Sequence, residues 1–336
     1  MKYFFLIVLC FGTYTFYGQM YRLKKIETNI ATSFRGLSVI DDQVAWISGS
    51  KGWIGITRDG GNTWSFNQVK DFEESDFRSL YAFDDKHAII ANAGSPATIL
   101  YTDDGGKSWK IVYINTHQDA FFDGVDFWND KEGIIYGDPI DGKMLLLQTS
   151  DGGLTWNEIR DAPHLEKGEA SFAASGTGIR CTNKKDVIIA TGGVVSRLWV
   201  YHDKGEHWQS ITTPIIQGQS TTGIFSFVQN KNILSIVGGD YKKDTLNIKH
   251  NFYSVDEGKN WLTPTSPTRG YRECVEPVTE NSLLAVGPSG IDISYDDGIN
   301  WKALSDEKGL HVACKARKGS LVIVAGGKGL VFLVYP

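Results

Sequence analysis

Thr57-Arg58-Asp59-Gly60-Gly61-Asn62-Thr63-Trp64 sets the fold, because the chain repeats it. The pattern Ser/Thr-x-Asp-x-Gly-x-x-Trp returns at Thr102 to Trp109, Thr149 to Trp156, Ser254 to Trp261 and Ser294 to Trp301. Tyr201 to Trp208 is a sixth copy, with Tyr201 in the place of Ser or Thr. Successive copies stand 45, 47, 52, 53 and 40 residues apart, Trp to Trp. Self-similarity at about 40–50 residues predicts four-stranded propeller blades. The chemistry of the unit is that of a turn between two strands. Its Asp accepts amide hydrogens from the turn behind it. Its second Gly takes φ > 0 without steric cost. Its Trp opens the next strand and folds back over the turn.

These residues resemble the Asp-box, or BNR, repeat. Similar boxes occur in sialidases, xyloglucanases, sortilin-like receptors and assembly factors, so the resemblance implies a fold and a structural role for all six copies, not a function.

Working outward, each box is preceded by the same grammar. A first strand alternates apolar residues, a polar turn follows, and a second strand ends in Gly. A short loop and a third strand then lead into the box. In the first repeat these are Phe34 to Ile40, Asp41-Asp42-Gln43, Val44 to Gly49, Ser50-Lys51-Gly52 and Trp53 to Ile56. Period-2 patterns bounded by Gly and Asp clusters are strand signals. A seventh repeat, from Leu310, has no box and stops after its third strand at Tyr335. Tyr21 to Ile26 is a spare strand at the other end. Pairing it with the last three predicts an all-β, seven-bladed β-propeller closed by its own two ends, with no open edge. Two longer insertions, Pro163 to Thr177 and Pro214 to Thr222, are expected on the face opposite the boxes, where loops carry function.

Residues 1–18 read as a secretory signal: Lys2, the apolar run Tyr3 to Phe16, and the small Gly18 before Gln19. Cys10 follows Leu9, so the small residue expected before a lipoprotein cysteine is missing. The expectation is a soluble, exported monomer, periplasmic or extracellular, with residues 19–336 as one propeller. No other stretch has the length of a membrane span. A net charge of −5 over 336 residues argues against a nucleic-acid partner. The three remaining cysteines, Cys181, Cys274 and Cys314, lie in apolar strand patterns. Buried free thiols are expected, with a Cys274–Cys314 bridge between neighbouring blades as the alternative.

Aligning the first strands on Leu37, Leu80, Val125, Ile179, Ile224, Cys274 and Ala313 puts Arg35, Arg78, Asp123, Thr177, Thr222, Arg272 and His311 two residues earlier. The position is polar in every repeat and should face the channel mouth. Arg35, Arg78 and Arg272 are expected to converge there, with His311 between them. Two readings stand: an anion or carboxylate site, which guanidinium forks suit, or a structural network with Asp123, Glu169 or Asp76. Asp138 and Asp240 lie in loops of the same face. His and Cys spacings show no metal site, and no phosphate loop or nucleophile elbow occurs. No cofactor is called for.

Phe34-Arg35 resembles the start of the sialidase Phe-Arg-Ile-Pro motif, although Gly36-Leu37 follow. Sialidases bind a carboxylate with three arginines and use a Tyr nucleophile backed by Glu; spacing along this chain assigns no such Tyr–Glu pair. Phe34-Arg35-Gly36-Leu37, Phe77-Arg78-Ser79-Leu80 and Gly287-Pro288-Ser289-Gly290 are similar to the photosystem II assembly/stability factor type of seven-bladed propeller and its relatives in non-photosynthetic bacteria. That resemblance implies a non-enzymatic scaffold for a protein partner, with an Arg-rich patch carried onto Arg35, Arg78, Arg272 and Arg180. The alternative is a carbohydrate-active hydrolase with a glycan or other anionic ligand. A carboxylate or Tyr–Glu pair at the channel mouth would favour it; a shallow Arg-lined face would favour the scaffold.

Overall fold

The computed structural model describes residues 21–182, 186–202 and 207–335. The expected secretory signal, with Cys10, and residues 203–206 of the fourth box lie outside them. Seven antiparallel sheets follow one another along the chain. Their first strands are Phe34–Val39, Phe77–Ala82, Phe122–Phe127, Ile179–Cys181, Thr222–Asn230, Cys274–Pro277 and Leu310–Lys315. We number the blades 1 to 7 accordingly.

The last blade is closed by the first strand of the chain. Arg22–Ile26 runs antiparallel to Val331–Tyr335, with Arg22 opposite Tyr335 and Ile26 opposite Val331. No covalent link holds the ring, so these ladder bonds and the burial of Ile26 do. Asp42 adds a staple between blades 1 and 7, accepting the amides of Ser320 at 2.6 Å and Leu321 at 2.7 Å.

Each sheet is apolar on both faces because it packs between two others. Ile40, Trp46 and Ile54 of blade 1 meet Phe77, Leu80 and Ile90 of blade 2. Phe34 and Ile47 meet Val331 and Leu333 of blade 7. Burying such side chains contributes about 1.5–3 kcal/mol each, so the core is a ring of interfaces between blades.

Blade 5 departs from the plan. Its fourth strand shrinks to a single bridge between Tyr253 and Leu262. On its inner side Gly192–Gly193 and then Glu169–Ala170, from the first insertion, extend the sheet. Glu169 anchors that insertion. Its buried carboxylate takes Arg197 at 3.0 and 2.6 Å, the Thr191 hydroxyl at 2.7 Å and the Trp199 indole at 3.2 Å.

The first box folds as its residues require, with one addition. Asp59 accepts the Thr63 amide at 2.8 Å and hydroxyl at 2.7 Å, and Trp64 returns its indole N–H to Gly61 O at 3.1 Å. The opening Thr57 also works: its hydroxyl accepts the Gly61 amide at 2.9 Å and donates to Asp59 at 2.9 Å. Gly60 and Gly61 sit at φ 69° and 83°. The hydroxyl of Ser108, with the turn amides, holds the Asp104 carboxyl down to about 2.

Candidate functional site

Blades 1, 2, 3, 5 and 7 carry a β-bulge at the start of the first strand. In blade 1, Phe34 pairs with Gly49 and Gly36 with Ser48, leaving Arg35 unpaired between them. The same break leaves out Arg78, Asp123, Phe225 and His311. A bulged residue is re-aimed away from the sheet, so this position is what reaches the channel mouth. Thr177 holds the corresponding place in blade 4, two residues before Ile179, which pairs with Ile189.

Two of the expected residues are out of register. In blade 5 the bulge falls on Phe225, three residues after Thr222; Thr222 instead pairs with Asp240 and stays buried. In blade 6, Cys274 pairs with Val286, as Gly36 pairs with Ser48. The mouth position there is Glu273, and Arg272 takes the buried place that Phe34 holds in blade 1. Arg272 therefore does not converge with Arg35 and Arg78. Its guanidinium is fully buried and bonds Asp292 at 2.9 and 2.5 Å, Tyr271 O at 2.8 Å and Ser289 Oγ at 2.8 Å.

At the mouth, Glu273 is the hub. It accepts Arg35 Nη1 at 2.6 Å and contacts His311 Nδ1 at 3.0 Å. Arg35 also donates to Ala174 O at 2.7 Å. Ala174 belongs to the first insertion, whose end crosses the channel. Ser175 bonds Glu273 O at 2.8 Å and Thr177 Oγ1 at 2.6 Å, and Thr177 reaches Ser226 at 2.6 Å. Arg78 stands apart: it pairs with Asp76 at 2.7 Å and keeps a third of its side chain in solvent.

Asp123 is fully buried beside this segment. No hydrogen bond of ordinary geometry reaches either carboxylate oxygen, although the Ala173 amide lies close enough to oppose its shift. Burial first, and Asp138 second, push its carboxyl well above the usual range. Burial also raises Asp138, against the Ser171 amide it accepts at 3.0 Å. Asp240 is buried and accepts the Lys242 amide at 3.0 Å, as a turn residue does.

The model of the Photosynthesis system II assembly factor YCF48 family matches residues 18–118 and 82–213, more than half of the chain. The chain belongs to that family. No curated protein matches it. Among solved structures, "YCF48 bound to D1 peptide" is 17% identical, with TM-score 0.68 over 95% of this chain and 97% of that one. YCF48 from Cyanidioschyzon merolae is 17% identical, with TM-score 0.64 over 93% and 98%. A GH74 enzyme of Niastella koreensis is 15% identical, with TM-score 0.59 over 89% of this chain but 51% of that one. At such identities these structures establish the shared fold.

In this YCF48-family propeller Arg180 lies deeper than the mouth, in the channel below the insertion. It donates through Nη2 to Glu276 at 2.8 Å and Val275 O at 3.1 Å. A Tyr–Glu pair does exist: Tyr271 stands beside Glu273, and its hydroxyl is pushed far up by burial and then by that carboxylate. Tyr271 is sealed in the core, and Glu273 is already engaged by Arg35 and His311. The three cysteines are free, Cys274 lying 3.4 Å from the Ala313 amide rather than bridged to Cys314.

The sequence offers Glu273, with Asp76, as a counter-charge to the arginines, but the one-residue slip hides that Glu273 itself takes the mouth position. An aromatic group at the blade 5 side of the mouth escaped sequence reasoning: Phe172 stacks on Phe225 at 3.9 Å, Tyr271 meets Phe225 edge-on at 4.7 Å, and Tyr241 stays exposed. Phe225 in its apolar strand carried no signal; Phe172, in the first insertion, and Tyr241, next to Asp240 in a loop of the same face, did.

Proposed function

We propose that the protein is an exported, non-enzymatic scaffold that binds a polypeptide partner on the face opposite the boxes. The observation that carries this reading is Arg78. It is held at the bulge by Asp76, yet a third of its side chain remains open to solvent at the mouth. A guanidinium fixed but not consumed suits a carboxylate-bearing peptide segment. Arg35 and His311 stand on the same face, and Tyr241 adds an exposed aromatic contact of the kind that dominates interfaces. Family membership agrees, since a YCF48 has been solved bound to a D1 peptide. Export rests on Lys2, the apolar run Tyr3 to Phe16 and Gly18.

The hydrolase alternative has less support. The buried Tyr271 and Asp123 offer no route for a glycan. The test is a crosslinked pull-down from the native envelope fraction with the wild-type protein and Arg78→Ala, beside a thermal melt of each. The expected result is an unchanged melt and roughly tenfold weaker capture, as for a lost charge-assisted bond. Equal capture by both proteins would remove Arg78 and this face from the reading.

A further inference from the structure

Below the mouth the channel is a chamber of about 320 Å³, roofed by Ser175, Gly176 and Thr177. Its far end lies where the first strands finish, on the box face, and there stand Lys315 and Arg317. The volume is at the lower end of the ~300–1,000 Å³ typical of small-molecule sites.

The wall carries Arg78, Arg180, Lys315 and Arg317 against the carboxylates Asp126 and Glu276. Both carboxylates are already supplied with donors. Glu276 takes Arg180 at 2.8 Å and the Lys315 amide at 3.0 Å. Asp126 takes the amides of Cys181 at 2.7 Å and Phe127 at 2.8 Å, and burial pushes its carboxyl up, toward the neutral form. Burial likewise raises the thiols of Cys181 and Cys314, the latter to about 12, so neither supplies negative charge.

Arg317 is bound but not neutralised. Its guanidinium lies 4.5 Å from the Tyr81 ring centroid and donates to Ser38 Oγ at 3.0 Å and to Ala82 O. Among the described residues no carboxylate forms an ion pair with it. Arg180 and Arg317 both line the chamber. Arg180 is paired with Glu276 and Arg78 with Asp76, which leaves Lys315 and the exposed Arg317 against Asp126, so the wall carries net positive charge and favours an anion.

We propose that this chamber binds a small free anion, of the inorganic phosphate or short dicarboxylate class, between Arg180 and Arg317. The site lies below the mouth, with Arg78 lining the chamber as well. The variants tested are at Arg317 and Arg180, so its failure is distinguishable from failure of the polypeptide-binding reading, which rests on Arg78.

The experiment is calorimetric titration of the folded full chain with inorganic phosphate and with succinate, at constant ionic strength. One saturable site for at least one of them is expected. Arg317→Gln should weaken it by about tenfold or more, the scale of a charge-assisted contact. Lys110→Gln, on the outer rim beside Asp103, should leave it unchanged. Arg180→Lys keeps a cation for Glu276 but loses the planar fork, and is the second variant should Arg317→Gln not fold. Absence of saturable binding for both anions overturns the proposal. So does wild-type affinity in the folded variants.

Discussion

Blades 1 and 6 open with the same kind of pair, Phe34-Arg35 and Tyr271-Arg272, and fold it in opposite ways. In blade 1 the aromatic ring is buried between blades and the arginine is bulged out to the mouth. In blade 6 the frame slips by one residue. Arg272 enters the interblade core, and Glu273 goes to the mouth to meet Arg35. A guanidinium in a phenylalanine site must replace its water shell with fixed partners. Arg272 finds them in Asp292, Tyr271 O and Ser289. The comparison teaches that one residue of strand register decides whether an arginine is a core post or a binding group.

The largest consequence is for stability. Arg272→Ala leaves Asp292 at 1% exposure without its main partner, retaining Arg269 at 2.7 Å. Breaking a buried pair from one side costs about 3–5 kcal/mol. Urea unfolding should show a midpoint shift of that size, while partner capture by the remaining folded protein is retained. A midpoint equal to the wild type breaks the comparison.

The blade count, the closure by Arg22–Ile26 and the box turns were legible because each rests on a local rule: a periodic box, a missing strand, a turn acceptor. The bulge positions in blades 1, 2, 3 and 7 were legible as well, since the aromatic or apolar residue before each marks the frame. Blades 5 and 6 were not. A bulge adds one residue and leaves no composition of its own, and Tyr-Arg imitates Phe-Arg. Asp292 was the available clue. It stands between Ile291 and Ile293 in a strand that reads as core, and a charge there requires a buried cation. The crossing of the channel by Ala174 to Thr177 depends on contacts with blades far away in sequence, which no local pattern encodes.

A smaller effect is expected at the mouth. Arg35→Ala removes one donor from Glu273, which keeps His311, and releases Ala174 O. The cost should be about 1–3 kcal/mol, the range for leaving a sheltered polar group short of a partner. Hydrogen exchange sharpens the point: amides of residues 172–176 should lose protection in Arg35→Ala and keep it in Arg78→Ala, whose arginine is held by Asp76 alone. Equal protection in both variants would mean that the insertion is not held by Arg35.

The smallest effect should have the opposite sign. Asp123 occupies in blade 3 the bulge that Arg35 occupies in blade 1, but it is buried without an ion pair. Burial and then Asp138 raise its folded-state pKa above the unfolded value. The folded chain therefore holds this proton more tightly than the unfolded chain. The proton's contribution is fully present below the unfolded pKa, and it is lost as pH rises through the folded pKa. Above the unfolded pKa the folded chain therefore carries a growing penalty, whether as a buried carboxylate or as a carboxyl kept protonated. Asp123→Asn keeps the shape and removes the titration. At neutral pH it should gain about 1 kcal/mol, within the range for relieving a buried unsatisfied group. On acidification toward the unfolded carboxylate pKa, the wild type should recover the difference, so that the two denaturation midpoints converge. A variant less stable than the wild type at neutral pH, with a gap that widens upward, would show instead that the Asp123 carboxylate is charged and held by Arg78. The bulge would then be a site for paired charges in blade 3 as it is in blade 1.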